Sequence, residues 1–315
     1  MKSAIVTGAT GFIGSAFVRE LINRNIPVLA LGRKDWEGVD IRRLQQSDLL
    51  TYIKLDMSDI GSLDRYLSAN NWEVGDDCVF INFAWGGVSR LSDLDINAQM
   101  QNVIMSANAL TVASKIRCSK FIHVGTMEEA FTSKYLGLDY NFNKEYNRHV
   151  IYSVAKLASR NVLKMMSFDL GINLIIATNS HVMGPNDDKD SFLQVTLEKL
   201  VNGDDLVFST GEQIFDVISV TDCARAYWHI AEYGKENTEY WIGSGNPRKL
   251  REYVEIMYSL YPSDKPMQFG MMPYNDISLK KSDFDIQKLV QDTGFFHSQT
   301  YEETVHELYN WLFKK

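Results

Sequence analysis

The sequence has little of what would place a protein in a membrane, outside the cell or around a metal ion. Its three cysteines, Cys78, Cys118 and Cys223, lie far apart and predict neither a disulfide framework nor a cluster of metal ligands. No run of about 18 apolar residues occurs, so no membrane span is predicted. The first residues, MKSAIVTGATG, enter a strand-like run at once and leave no room for a signal peptide. These absences fit the cytoplasm.

Charge and composition narrow the class further. The net charge of −8 disfavours a general nucleic-acid-binding surface. A hydrophobic content of 45% with 23% charged residues is typical of a soluble globular protein that can bury a large core. There are no internal repeats, low-complexity tracts or charged tails. The charge decides little else, because acidic proteins often bind anionic metabolites through local sites.

Six short apolar runs predict strands buried on both faces, as in a parallel sheet. They are AIVTG, PVLALG, YIKLD, CVFINFA, KFIHVG and NLIIAT. Between the first two runs, Ile13, Phe17 and Leu21 recur on one face of a predicted helix. Later helices are predicted in DLDINAQMQNVIMSANALTVASK and in YSVAKLASRNVLKMMSFDLG, the second ending at Gly171. This alternation predicts an α/β fold with a doubly wound parallel (Rossmann) sheet.

After Thr178 the alternation breaks, because loops lengthen, helices shorten and most of the six prolines occur there. The strand-like run IFDVISV and the helix after it are expected to rejoin the first domain. We therefore predict a Rossmann domain of residues 1–178 and 214–234. Residues 179–213 and 235–315 would form a smaller α+β substrate-binding lobe.

A glycine-rich turn lies between the first predicted strand and the first helix. In VTGATGFIGS, Gly8, Gly11 and Gly14 would let the backbone turn tightly and approach a pyrophosphate at the helix N-terminus. A purely structural turn is the alternative. The position directly after the first strand, with a second strand following about 20 residues later, favours nucleotide-cofactor binding.

The ends of the second and third strands carry charged residues of opposite sign. Gly32 is followed by Arg33 and Lys34, where an NAD site usually has an acid for the ribose 2′-hydroxyl. Arg33 would suit the 2′-phosphate of NADP, although a solvated basic turn is the alternative. Asp56, after the third strand, could accept from the adenine amino group or could cap a helix.

Three Tyr-x-x-x-Lys pairs occur, and only one has the setting that proton transfer needs. Tyr261 and Lys265 span Pro262, which disrupts a helix, and Tyr140 and Lys144 lie in a polar segment that suggests a loop. Tyr152 and Lys156, in contrast, begin a long amphipathic helix, although a helix-surface pair is the alternative.

Thr126, at the end of the strand KFIHVG, is a hydroxyl partner for this pair. A phenol is a poor acid or base at neutral pH unless a cation favours its anion, and Lys156 can supply that charge. We therefore predict that Thr126, Tyr152 and Lys156 act together.

Taken together, these segments resemble the extended short-chain dehydrogenase/reductase family, in its branch of sugar-nucleotide epimerases, dehydratases and ketoreductases. TGATGFIG is similar to the cofactor loop of the family, and LDMSD and NFAWGG are similar to its adenine-side and nicotinamide-side segments. HVGT, YSVAK, HVMGP and DVISVTDCARA follow in the expected order. The resemblance implies that Thr126, Tyr152 and Lys156 form the catalytic triad. It also implies a cofactor site made of Gly8, Gly11, Phe12, Ile13, Gly14, Arg33, Asp56, Met57, Phe83, Ala84, Tyr152 and Lys156.

Departures from the family pattern bear on the substrate. Dehydratases of this branch have an acidic pair after the hydroxyl residue, whereas here Met127 replaces the first acid and Glu128 stands alone. Dehydration is therefore disfavoured, and Glu128 is predicted instead to be a substrate-binding residue. His181 stands where the family often has Asn, and a core or loop histidine is the alternative to a substrate ligand there.

A second departure concerns the diphosphate of a sugar nucleotide. Phe215 stands where many members have an Arg that contacts this group. Diphosphate binding could then fall to Arg248, Arg251 or Arg90, each of which could also be a plain surface arginine.

These observations predict an NADP-dependent reductase of a nucleotide-linked 4-keto-6-deoxyhexose, with no metal ion. Alternatives are an NAD-dependent sugar-nucleotide 4-epimerase and a non-catalytic dinucleotide-sensing module. No nucleic-acid or membrane partner is expected. A homodimer is predicted through the helices that begin near Asp93 and Tyr152, since the resemblance implies a four-helix contact and their outward faces carry apolar residues. These residues include Met100, Val103, Leu157 and Met165.

Overall fold

The computed structural model describes residues 1–70, 72–75, 77–87, 95–135, 149–187, 191–273 and 278–314. The strands in these ranges are β1 (Ser3–Thr7), β2 (Val28–Gly32), β3 (Leu50–Lys54), β4 (Cys78–Asn82), β5 (Lys120–Thr126), β6 (Asn173–Asn179), β7 (His181–Met183), β8 (Leu206–Val207), β9 (Ile214–Phe215), β10 (Val217–Ser219), β11 (Glu239–Ile242), β12 (Arg248–Lys249) and β13 (Met267–Gln268). The α-helices are α1 (Phe12–Asn23), α2 (Leu63–Ala69), α3 (Ile96–Lys115), α4 (Thr132–Tyr135), α5 (Val150–Leu170), α6 (Phe192–Asn202), α7 (Val220–Tyr233), α8 (Leu250–Leu260), α9 (Gln287–Thr293) and α10 (Tyr301–Phe313).

A seven-stranded parallel sheet in the order β11-β6-β5-β4-β1-β2-β3 forms the centre of the fold. The six predicted strands all belong to it, which confirms the α/β class. Their side chains alternate between two buried layers. Val6 and Ile81 pack with Phe17 of α1 on one face. Ile5 and Phe80 pack with the layer formed by α3 and α5 on the other. Burial of both faces explains why these strands are continuously apolar rather than alternating.

The seventh strand, β11, was not predicted from the sequence. It pairs in parallel with β6 at the edge of the sheet, with Tyr240 and Ile242 buried. The large sheet therefore includes part of segment 235–315, which the sequence assigns to the smaller lobe. Glu239 and Trp241 alternate with the two buried residues, a pattern that suits an edge strand.

The run IFDVISV does not enter the large sheet. It forms β9 and β10, and β10 pairs in parallel with β7 in a separate two-stranded sheet. The helix that follows, α7, packs against α1, as expected for a return to the first domain. A third core, made by α6, α8 and α10 around Leu197, Tyr253 and Val305, lies under these short strands. Because β7 begins two residues after β6 ends, the short strands continue from the carboxyl end of the large sheet.

Helices α3 and α5 pack side by side on one face of the sheet. Their outer surfaces retain exposed apolar side chains, namely Ile96, Met100, Ile104, Val154, Val162, Met165 and Phe168. Of the four residues predicted on this surface, Met100 and Met165 are exposed, whereas Val103 and Leu157 are half-buried. Across the described ranges, the structure has no helix long and apolar enough to cross a membrane.

Candidate active site

The predicted catalytic residues meet at the carboxyl end of β5. Thr126 is the last residue of this strand, and Tyr152 lies in the half-buried first turn of α5. The Thr126 hydroxyl is near enough to Tyr152 to lower the pKa of its phenol. A hydroxyl pair at this edge can bind one oxygen atom of a ligand from two sides, and ligands of open parallel sheets bind at this edge.

The electrostatic setting of Tyr152 differs from the sequence prediction. Burial raises the pKa of its phenol above the ordinary value of 10, and the Thr126 hydroxyl opposes this only in part. The carboxylates of Glu128 and Glu129 add to the increase. The lowering expected from Lys156 therefore does not set the net direction. The phenol is therefore protonated at neutral pH and can act as a proton donor, while its raised pKa makes it a weaker acid than a free phenol.

Lys156 follows Tyr152 by one helical turn and is buried, with 4% of its surface exposed. Its Nζ donates to the carbonyl oxygen of Val124 at 3.0 Å. The same atom lies 3.9 Å from the centre of the Trp85 indole ring. Both contacts favour the charged ammonium form, which burial alone would disfavour.

The two other Tyr-x-x-x-Lys pairs give no comparable arrangement. Helix α8 ends at Leu260, and the Tyr261 ring is stacked on Tyr309 with its hydroxyl 2.7 Å from His306 Nδ1. Lys265 instead pairs with Asp205 at 3.0 Å. Tyr140 and Lys144 lie outside the described residues.

The glycine-rich turn has the shape that a dinucleotide needs. Gly8 has a φ of +63°, and an added Cβ would lie 2.8 Å from the backbone nitrogen of Ala84. A Cβ on Gly14 would lie 2.3 Å from the Gly8 carbonyl oxygen. No side chain caps the N-terminus of α1 at Gly11, and no acid lies in its first turn. Phe12 and Ile13 supply backbone N–H groups in that turn, which can therefore point at a phosphate. These residues fit a nucleotide cofactor.

The adenine end of this region has an exposed arginine beside a carboxylate. Arg33 is exposed just after β2, and its charge contributes to lowering the pKa of Asp56. The largest causes of that lowering are hydrogen bonds from Ser58 to the same carboxylate. Asp56 Oδ1 accepts from both the backbone nitrogen and the hydroxyl of Ser58, at 2.9 Å each. Asp56 thus caps the 3₁₀ turn that begins at Met57, which was the alternative considered for it.

One further arginine holds the glycine-rich turn from the side. Arg43 donates to the carbonyl oxygen of Thr10 at 3.0 Å and to that of Asn186 at 2.7 Å. Thr10 belongs to the glycine-rich turn, whereas Asn186 lies beyond β7 in a distant part of the chain. The sequence prediction did not include Arg43, because no local pattern links positions so far apart in the chain.

Comparison with known proteins agrees with this geometry. Residues 4–243 match the model of the NAD dependent epimerase/dehydratase family. The chain belongs to this family. It is 27% identical over 310 residues to the CDP-abequose synthase of Salmonella typhimurium, with 96% of each chain covered. It is 23% identical over 332 residues to the dTDP-glucose 4,6-dehydratase of Xanthomonas campestris pv. campestris, covering 99% of this chain and 93% of that protein.

Two solved structures have a fold similar to that of this chain. The UDP-glucose 4-epimerase of Thermotoga maritima, solved with UDP-glucose, superposes with a TM-score of 0.78 at 19% identity, covering 99% of both chains. The dTDP-glucose 4,6-dehydratase of Bacillus anthracis, solved with NAD, gives a TM-score of 0.78 at 18% identity, covering 100% of this chain and 97% of that one. At these identities the likeness shows the fold. The family model over residues 4–243 confirms the extended short-chain dehydrogenase/reductase family that the sequence predicts.

Glu128, a predicted substrate residue, lies among the titratable side chains of His149, Tyr152 and His181. His149 Nδ1 is 3.0 Å from Glu128 Oε2. Glu128 also acts electrostatically on Tyr152 and on His181. Burial lowers the pKa of His181 to about 4, so this histidine is neutral at pH 7. The structure therefore brings Glu128 and His181, both predicted substrate residues, to the triad.

The arginines predicted for the diphosphate differ in placement. Arg248 of β12 is directly opposite Phe215 of β9 in an antiparallel pair. Side chains in such a pair start about 5 Å apart, so Arg248 stands beside the position where many family members have arginine. Arg251 instead pairs with Glu255 at 2.9 Å and covers the Phe269 ring. Arg90 lies outside the described residues.

Sequence reasoning missed a buried ion-pair network behind Thr126. The Glu129 carboxylate accepts from the Thr126 backbone nitrogen at 2.8 Å and from Arg160 Nε at 2.5 Å. Arg160 also donates to Thr178 on β6 and to Glu239 on β11. The spacing Thr-x-x-Glu from Thr126 to Glu129 is a capping box and could have indicated part of this network. The network fixes the end of β5 relative to α5.

The described part of the chain was predicted to hold no metal ion, and the relevant observation is the arrangement of its possible metal ligands. No group of three or more His, Cys, Asp or Glu side chains there could hold a metal ion.

Proposed function

We propose that the protein is an NADP-dependent reductase of a nucleotide-linked 4-keto-6-deoxyhexose. The observation that carries this proposal is the placement of Tyr152 and Lys156 beside the carboxyl end of β5. Thr126 ends this strand, and the Lys156 ammonium is 3.0 Å from the carbonyl oxygen of its Val124. A non-catalytic sensing module would need the glycine-rich turn but not this set of residues. Membership of the family supports a nicotinamide cofactor and a sugar-nucleotide substrate.

In the proposed reaction Tyr152 is the general acid. The bound cofactor supplies a hydride to the carbonyl carbon. Tyr152 donates its proton to the carbonyl oxygen, and Thr126 holds that oxygen through its hydroxyl. The raised pKa of Tyr152 keeps the proton on the phenol until the oxygen becomes basic enough to take it. Lys156 then favours the resulting phenolate by its charge.

The preference for NADP rests on Arg33. No acid stands at the end of β2, where one would bind a ribose 2′-hydroxyl, and the exposed Arg33 can make a charge-assisted contact with a 2′-phosphate. A reductase consumes its cofactor and so benefits from selecting NADPH. An epimerase of this family returns the hydride to the same substrate and has no such need.

The proposed substrate rests on two departures from the family pattern, at Met127 and Phe215, and on the similarity to the CDP-abequose synthase. Met127 replaces the first acid of the dehydratase pair, which leaves Glu128 without the partner that elimination of water requires. Arg248, opposite Phe215, supplies a cation for the substrate diphosphate. The CDP-abequose synthase of Salmonella typhimurium, a synthase of a CDP-linked sugar, matches nearly the whole chain, which favours CDP among the nucleotides to be tried first.

The test uses purified full-length protein with 4-keto-6-deoxyhexoses linked to CDP, dTDP, GDP and UDP. We expect oxidation of NADPH, in preference to NADH, with one of the four and a 4-hydroxy sugar as the product identified by NMR. Tyr152→Phe is the matched control, since it removes only the proton donor. Oxidation of neither cofactor by any ketone would reject the reductase. Tightly bound NAD that is released only on denaturation would favour the 4-epimerase.

A homodimer is proposed through α3 and α5. Their exposed apolar side chains form one surface, with Phe168 84% and Met165 65% exposed in the single chain. Two copies of this helix pair would make a four-helix contact that covers these side chains. We expect light scattering to give the mass of a dimer at micromolar concentration. The double variant Met165→Asp, Phe168→Asp should be monomeric, and a monomeric wild type would contradict the proposal.

A further inference from the structure

Among the described residues, Trp85 is an aromatic side chain that contacts both Tyr152 and Lys156. It follows β4 by three residues, at the carboxyl edge of the sheet. The face of its indole lies 3.9 Å from Lys156 Nζ. Its ring also meets the Tyr152 ring edge-on, with centres 6.2 Å apart and planes at 89°. One indole therefore contacts both members of the pair.

The position of this indole is fixed by two amide side chains of α3. The Trp85 indole nitrogen donates to Gln99 Oε1 at 2.8 Å. Gln99 is 1% exposed, so this bond is shielded from water. Next to it, Asn102 accepts from the backbone nitrogen of Gly86 at 2.9 Å and donates to the Gly86 carbonyl oxygen at 2.8 Å. Hydrogen bonds to α3 thus hold the loop that carries the Trp85 ring.

Lys156 needs such a neighbour because it is buried. Water solvates an exposed ammonium, but at 4% exposure this one depends on protein groups. The Val124 carbonyl oxygen meets it from one side at 3.0 Å, and the negative face of the indole meets it from another. Both contacts are stronger with the charged form than with the neutral amine.

We propose that Trp85 is a positioning residue, which seats the Lys156 ammonium between its ring and the Val124 carbonyl and aligns it with Tyr152. This inference deepens the proposed function and rests on it in one respect, since the pair must carry proton transfer. Trp85 itself transfers no proton. Gln99 contributes indirectly by holding the indole.

The groups that titrate near Lys156 are few among the described residues. Tyr152 and Arg160 lie on its own helix, His123 on β5, and Glu128 and Glu129 on the turn after β5. Burial holds the pKa of His123 well below 6.5, so it is neutral throughout the alkaline range. Of these side-chain types, tyrosine and lysine are the ones that ordinarily titrate in the alkaline range. An alkaline transition therefore reports on Tyr152 and Lys156 together.

The experiment compares Trp85→Leu, which removes the π face, with Trp85→Phe, which keeps one. Without the ring the neutral amine is favoured, so the pKa of Lys156 falls. The alkaline limb of kcat/KM for ketone reduction should move to lower pH by about one unit in Trp85→Leu and by less than half as much in Trp85→Phe. In Trp85→Leu kcat should fall about tenfold, while KM for NADPH and for the sugar nucleotide stays within about twofold.

A second measurement does not depend on turnover. The side-chain NMR signals of isotopically labelled lysine, with Lys156 assigned by its loss in Lys156→Met, give the pKa of Lys156 directly. If wild type reduces no ketone, the proposed function fails, yet this titration still tests the role of Trp85. Trp228→Leu is the matched control, because Trp228 makes a cation–π contact with Arg24 at 3.4 Å far from the site. It should leave the Lys156 titration unchanged.

Two outcomes would overturn the inference. One is an unchanged Lys156 titration and pH profile in Trp85→Leu. The other is a raised KM with an unchanged kcat, which would make the indole a substrate contact. If Trp85→Leu fails to fold, Gln99→Met replaces it, since it breaks the indole hydrogen bond and keeps the ring. Gln99→Met should shift the pKa of Lys156 in the same direction by a smaller amount, and no shift would again count against the role.

Discussion

The proposed cofactor half and the proposed substrate half of the site are built from different parts of the chain. The cofactor half consists largely of backbone, in the consecutive residues 8–14, which form the turn after β1 and the start of α1. The substrate half consists of side chains from separate segments, among them Glu128, His181 and Arg248. Backbone shape depends on several residues at once, whereas side chains can change one at a time. The family pattern is accordingly kept in the first half and broken in the second.

The largest effect is expected where the two halves meet. Tyr152→Phe removes the proton donor and should lower kcat at least about a hundredfold, while cofactor binding changes little. The measurement is single-turnover ketone reduction together with NADPH titration. Tyr261→Phe is the control, because that hydroxyl is 2.7 Å from His306 and far from the triad. Greater loss in Tyr261→Phe than in Tyr152→Phe would reverse the choice between these pairs.

A backbone change should damage the cofactor half nearly as much. Gly8→Ala places a Cβ 2.8 Å from the Ala84 nitrogen at a φ of +63°, so both strain and collision oppose it. We expect a loss of NADPH affinity of more than tenfold and a fall in the free energy of unfolding beyond about 1 kcal/mol. Gly203→Ala separates the two causes, because Gly203 has a φ of +72° but no atom within 4 Å of its added Cβ. Equal loss of stability in both variants would exclude the collision.

A side-chain change in the cofactor half should act on one cofactor only. Arg33→Ala removes a charge-assisted contact worth about 1.5–3 kcal/mol, so KM for NADPH should rise about ten- to hundredfold. KM for NADH should stay near the wild-type value, since NADH has no 2′-phosphate. Arg42→Ala is the control, because Arg42 pairs with Asp40 at 2.7 Å. Equal losses with both cofactors would contradict the assignment.

The smallest effect is expected in the substrate half. Arg248→Ala should raise KM for the sugar nucleotide about tenfold without changing KM for NADPH, because one contact with a diphosphate is lost. Arg251→Ala should change both by less than about twofold, since its guanidinium already pairs with Glu255 at 2.9 Å. Initial-rate kinetics of the two variants decide between them. A larger effect at Arg251 would move the diphosphate site.

What could be predicted from the sequence follows the same division. Parallel strands that are buried on both faces are continuously apolar, so β1 to β6 could be predicted from local sequence. The turn at Gly8 could be predicted from the spacing of its glycines. The four-residue strand β11 could not, because Tyr240 and Ile242 alternate with polar or half-exposed residues in a segment of broken rhythm. The pairing of β10 with β7 depends on residues more than thirty positions apart.

Within the site, Thr126, Tyr152 and Lys156 could be predicted because each has a characteristic chemistry and a fixed place beside a strand. The contacts of Trp85 and Arg160 could not be predicted. The sequence alone does not show that Trp85 lies against the Lys156 ammonium or that Arg160 pairs with Glu129. The raised pKa of Tyr152 was missed for the same reason, because burial and the neighbouring carboxylates are properties of the folded chain.

Arg43 ties two distant segments of the chain together through their backbone. Its guanidinium joins Thr10 in the glycine-rich turn to Asn186, beyond β7, through two carbonyl oxygens. Moving the two segments apart must break those bonds, each to a charged donor and worth about 1.5–3 kcal/mol. The position of the glycine-rich turn therefore depends on a residue outside its own motif. Because both acceptors are backbone carbonyl groups, this contact depends on the identity of Arg43 and not on the side chains at positions 10 and 186.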